Sequence, residues 1–128
     1  MSLRGDDAGI EMRLPSTTWS PRIARRFVAA RLSESLSGRD VVGAVALVTG
    51  ELVTNAVQHT SATVRVRVER LADHVRVEVS DRSLPRADGS DHLALSNGGP
   101  PLIGRLCDRW GVAETNGERS VWCTFRLV

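Results

Sequence analysis

Two valine ladders constrain this chain more than any other feature. Val64, Val66 and Val68 alternate with Arg65, Arg67 and Glu69, and Val75, Val77 and Val79 alternate with Arg76, Glu78 and Ser80. A period of two places the valines of each run on one face of an extended strand and the charges on the other. Only a short turn at Ala72-Asp73-His74 separates the runs, which predicts an antiparallel hairpin. Strands that are apolar on one side only imply an antiparallel or mixed sheet with helices covering a single face.

The flanking segments supply candidates for both layers. Ile10, Met12 and Leu14 alternate with Glu11 and Arg13 and predict a first strand, ended by Pro15. Residues 1–8, polar and rich in Gly and Asp, read as a frayed tail. Ser20-Pro21 reads as N-cap and first residue of a helix reaching about Leu36, with Ile23, Phe27, Ala30 and Val28 inward and Arg22, Arg25, Arg26 and Arg31 outward. Ser37-Gly38 ends it, and Asp40 is the expected N-cap of a second helix reaching about His59. Val41 to Val48 is apolar nearly all round, the pattern of a buried central helix. Gly43 and Gly50 within it each cost about 1 kcal/mol against Ala, a cost that close packing against the sheet would explain. After the hairpin comes a long loop at 82–99, then a short helix over about Pro100–Asp108 and a strand near Val112–Glu114. An Asn116-Gly117 turn leads into a last strand with Val121, Cys123, Phe125 and Leu127 alternating. The expected order is β-α-α-β-β-loop-α-β-β, in a single domain over 9–128.

Composition excludes more than it assigns. With 128 residues, 41% hydrophobic and 25% charged, the chain can fold as one globular domain without staples. All 17 basic residues are Arg, which removes a Walker-type phosphate loop and any Schiff-base lysine. A net charge of +2 is too mild to argue for nucleic acid, and three Trp, two Phe and no Tyr give the arginine face of the first helix no stacking platform. The expectation is no direct nucleic-acid partner. Cys107 and Cys123 have neither CxxC spacing nor clustered His, so they read as reduced thiols rather than zinc ligands. No run of about 20 apolar residues and no signal-peptide pattern is present, so the expectation is a soluble cytoplasmic protein without membrane contact.

Three constellations carry possible chemistry. Glu51, Asn55 and His59 recur every fourth residue and stack on one stripe of the second helix, among Leu52, Val53, Ala56 and Val57. A carboxylate and an amide oxygen on one stripe can order a water, a hydroxyl or a hard metal ion; equally, such a stripe can be the polar side of an amphipathic helix. Asp81 ends a Val-rich strand at the mouth of the long loop, where it can accept from a ligand's amino group or simply start a turn. Gly98-Gly99-Pro100 opens a helix, as an anion site would, but Pro100 and Pro101 remove two N–H donors.

In this order the segments resemble the GHKL or Bergerat-fold ATPases, and among them the short anti-sigma-factor serine kinases of bacterial partner-switching systems. The resemblance runs from about Met12 to Leu127. Ala24-Arg-Arg-Phe-Val28 resembles the family's first helix, Glu51-Leu-Val-Thr-Asn-Ala-Val-Gln-His59 its N box, and Val77-Glu-Val-Ser-Asp81 its first glycine-box strand. Asp108-Arg-Trp-Gly-Val112 and Ser120-Val-Trp-Cys123 resemble its closing strands. The resemblance implies an α+β two-layer sandwich, with a mixed, mostly antiparallel sheet and helices on one face. It implies ATP and Mg²⁺ as cofactors, Glu51 as the general base toward a substrate serine, and Asn55 as the Mg²⁺ ligand. It further implies Asp81 as acceptor of the adenine amino group, Ser120 beside it through water, and the loop at 82–99 as a lid. Ser83, Gly98 and Gly99 would contribute to nucleotide binding. The implied partners are a sigma factor, an anti-sigma antagonist or both, with homodimer formation. Three positions depart from the family pattern: Ser83 stands for a Gly, Asn97-Gly98-Gly99-Pro100 for Gly-x-Gly-Leu, and Pro-Pro for a Leu-rich helix start. These changes weaken a phosphate cradle more than an adenine pocket. Two readings follow: an ATP-dependent regulator with kinase activity, and a non-catalytic interaction module on the same fold with a degenerate nucleotide site.

Overall fold

The structure, a computed structural model, describes residues 2–5, 9–34, 39–60, 62–82 and 99–127. Its elements are β1 (Ser2–Gly5), β2 (Gly9–Leu14), α1 (Ser20–Ser33), α2 (Arg39–His59), β3 (Val64–Arg70), β4 (His74–Asp81), α3 (Gly99–Leu106), β5 (Arg109–Thr115) and β6 (Glu118–Arg126). The six strands form one sheet in the order β1-β2-β3-β4-β6-β5. Every neighbouring pair is antiparallel. The valine hairpin forms as expected, with Val66 opposite Val79 and Val68 opposite Val77. All six ladder valines are buried.

The helices cover that apolar face, giving a two-layer α+β sandwich. α2 is the hub: it packs against α1, against α3 and against β3, β4 and β6. Its Val45, Val48, Leu52 and Val53 lie in the same core cluster as the valine ladders and as Val121, Cys123 and Phe125 of β6. By length and hydropathy α2 could cross a membrane over Asp40–His59, but half of that stretch is buried in the fold, as a core helix is. Asn116 and Gly117, with φ of 54° and 80°, make the tight turn that joins β5 to β6.

Several local expectations change. Where a frayed tail was expected, Ser2–Gly5 forms an edge strand on β2. The helix expected to reach Leu36 is described to Ser33. Its buried positions are Ser20, Ala24, Val28 and Leu32; Ile23 and Phe27 are only partly buried and Ala30 is exposed. Ser20 does not cap this helix: its hydroxyl donates to the Pro15 carbonyl, and Trp19 takes the cap position. Gly50 is approached by α1 rather than by the sheet, since a Cβ there would lie 2.5 Å from Cδ of Arg25. Gly43 has nothing within reach of a Cβ.

Candidate functional site

The ends of several elements meet at one edge of the sheet. Leu14, Val64, Asp81 and Arg119 are successive cross-strand partners on β2, β3, β4 and β6, so they form a single row. They share the parity of the buried valines and therefore point toward the helices. The chain leaving α2 is tied to the same edge. Thr60 Oγ1 donates to the Arg82 carbonyl at 3.0 Å, and Ser16 Oγ donates to the Thr60 carbonyl at 2.6 Å. The last turns of α2 are thus pinned beside the end of β4.

The acid–amide–imidazole stripe lies on those turns. Asn55 is buried at 1% exposure, while Glu51 and His59 are half-buried. A side chain as polar as Asn is retained at such depth only where it is hydrogen-bonded. Glu51, one turn earlier, remains reachable from outside.

Asp81 is buried at the end of its strand, and its neighbour on β6 is an arginine. Arg119 Nη2 lies 3.7 Å from Asp81 Oδ2, with side-chain exposures of 4% and 2%. An isolated carboxylate in an apolar floor of Leu14 and Val64 would be costly, and the guanidinium offsets that cost. The alternation of β6 contains the signal for Arg119, which sits two residues before Val121 and four before Cys123 and so must face the core.

The remaining expected site residues divide. Gly99 is the first residue of α3, with Pro100 and Pro101 in its first turn. Ser83 and Gly98, with most of the expected lid, lie outside the described residues. Ser120 does not join Asp81. The register pairs it with Ser80, and their hydroxyls are hydrogen-bonded at 2.9 Å on the opposite face of the sheet. There the Arg65–Glu118 ion pair, 2.9 Å long and running from β3 to β6, crosses over the intervening strand β4.

Beside the stripe, Thr18, Trp19, Pro21, Arg22 and Arg25 face Thr54, Val57 and Gln58 across a groove of about 470 Å³. Trp19 is 74% exposed at its rim. Thr54 and Gln58 lie three residues beyond Glu51 and Asn55, so the groove borders the same side of α2.

Helices on one face of an antiparallel sheet are the architecture of a GHKL-type ATPase. The sequence matches the histidine kinase-like ATPase domain over residues 14–125. The chain belongs to that family. Its structure is similar to that of the RsbU and RsbW domains of Rv1364c from Mycobacterium tuberculosis, with a TM-score of 0.73 and 21% sequence identity. The likeness covers 96% of this chain and 33% of the other, so the chain spans about a third of that protein's length. Comparison with curated proteins gave no match.

Proposed function

We propose that this chain is an ATP- and Mg²⁺-binding regulator of the anti-sigma type that phosphorylates a serine of a protein antagonist. The observation that supports this most is the graded stripe of α2, with Glu51 half-exposed and Asn55 buried, at the sheet edge that bears Asp81. Asn55 offers a hard amide oxygen at a dry position. Mg²⁺ needs only one or two protein oxygens when nucleotide phosphates and waters complete its shell, so this residue fits the ion. Bound there, Mg²⁺ would neutralise phosphate charge as the phosphoryl group moves. Asp81 accepts from the base, and Glu51 accepts the proton of the incoming serine hydroxyl. The groove at Trp19, Arg22 and Arg25 borders Glu51's side of the helix and suits a protein substrate. The RsbW domain named in the similar structure agrees with a partner-switching role, in which a sigma factor, an antagonist or both bind the chain; a homodimer and a cytoplasmic setting belong to the same reading.

Incubation with Mg-ATP and a cognate antagonist should yield phosphoserine, and Glu51→Gln should reduce the rate by roughly 10²-fold or more while ATP still binds. Normal ATP binding without transfer to any antagonist would remove the kinase activity from this reading. One observation favours the alternative of a non-catalytic module: Pro100 and Pro101 occupy the first turn of α3, where a phosphate would seek backbone N–H donors. Nucleotide titration separates the two.

A further inference from the structure

Building on the nucleotide-binding reading, we propose that Asp81 and Arg119 recognise the base together, with Arg119 donating a hydrogen bond to the ring nitrogen N1 of adenine while Asp81 accepts from its amino group.

The two side chains face each other from directly paired positions of β4 and β6, on the helix side of the sheet. Their exposures of 2% and 4% place the charges in a dry floor, where separating them would strand one charge and destabilise the fold. A base that enters must therefore join the pair rather than displace Arg119. Both groups have the capacity for this. A carboxylate has about four acceptor positions, and a guanidinium has five N–H groups in a planar fork. The Nη2–Oδ2 distance of 3.7 Å is too long for a direct hydrogen bond, so charge holds this contact. Side by side, the two present an acceptor next to a donor. The Watson–Crick edge of adenine presents the complement, an amino donor next to the N1 acceptor. Ser120 cannot supply the N1 contact from its position, because the register turns it to the opposite face against Ser80.

The probe is 1-deaza-ATP, in which a C–H replaces N1 and nothing else changes. Titration calorimetry of the full chain with Mg²⁺ should show ATP binding about tenfold or more tighter than 1-deaza-ATP, the loss expected for a hydrogen bond from a charged donor. Arg119→Met should bind both nucleotides equally. If that variant does not fold, Arg119→Lys, which keeps the charge without the planar fork, should show a reduced ratio. A wild-type ratio near one, or a variant that keeps the wild-type ratio, overturns the assignment while leaving nucleotide binding intact. Absence of ATP binding by the wild-type chain overturns the nucleotide reading and this assignment together.

Discussion

At the scale of single residues, the two thiols show how one contact splits otherwise equivalent groups. The Cys107 S–H donates to the Ile103 carbonyl at 2.9 Å; once Cys107 is a thiolate, the buried Cys123 S–H can donate to it, and this hydrogen bond, with burial, pushes the Cys123 thiol far above its ordinary range. The same bond stabilises a thiolate at Cys107 and holds that thiol below the ordinary range, against the opposing effect of its partial burial. Iodoacetamide should therefore modify Cys107 first and at a lower pH than an ordinary thiol, with Cys123 protected until the chain unfolds. Cys123→Ala should move the midpoint of the Cys107 alkylation profile upward; an unmoved midpoint would assign the shift to some other group. Legibility in sequence also divides residue by residue. Asn55 was readable because an Asn among Leu, Val and Ala in a helix needs a reason. The alternation of β6 marks Arg119 as well, but the closing-strand resemblance points to Ser120 instead. In a strand a shift of one residue turns a side chain to the other face, so that small offset exchanged an inward arginine for an outward serine.

At the scale of elements, strong periodicity was readable and close approach was not. The valine hairpin, the Asn-Gly turn and the long buried helix each follow from a local pattern. The inward face of α1 does not, because a hydropathy reading favours Ile23 and Phe27. The face that packs against α2 instead presents small residues, Ser20 and Ala24, before Val28 and Leu32. β1 escaped for the converse reason: Ser2–Gly5 is a short edge strand whose order comes from pairing with β2 rather than from an apolar ladder. Close approach also explains Gly50, where the stem of Arg25 lies so near α2 that a Cβ would meet its Cδ at 2.5 Å and its Cγ at 2.7 Å. A Gly→Ala change inside a helix ordinarily stabilises by about 1 kcal/mol. In the wild-type background this gain should be cancelled by displacement of Arg25, and in an Arg25→Ala background it should reappear. Urea unfolding of the two single variants and the double variant measures the coupling; strict additivity would show that Arg25 does not rest on this position.

At the scale of the whole molecule, the proposed site joins parts of the chain that are distant in sequence. Glu51 and Asn55 come from the last turns of α2, Asp81 from the end of the hairpin, Gly99 from the start of α3, and Arg119 from the closing strand. The architecture that gathers them was legible, since one-sided strands require a helical cover, but the tethers that fix the site are not periodic features. The Thr60–Arg82 and Ser16–Thr60 bonds join loops to α2 and leave no pattern in the sequence. A ligand that spans these elements binds only the folded chain and must stabilise all of it. At about 100 times its Kd such a ligand contributes roughly 2.7 kcal/mol, and for a domain of this length that raises Tm by roughly 10 °C. ATP or ADP with Mg²⁺ should therefore raise the melting temperature in step with log concentration. Asn55→Ala should require more ATP for the same shift in the presence of Mg²⁺, and should differ less from wild type when the metal is chelated, because its proposed role is to hold the ion. Arg65→Ala, on the opposite face of the sheet, should lower the baseline Tm without altering the nucleotide-dependent increment. A flat melting curve at millimolar nucleotide, in a chain that still binds a protein partner, would favour the non-catalytic module, for which the first-turn prolines of α3 are the physical reason.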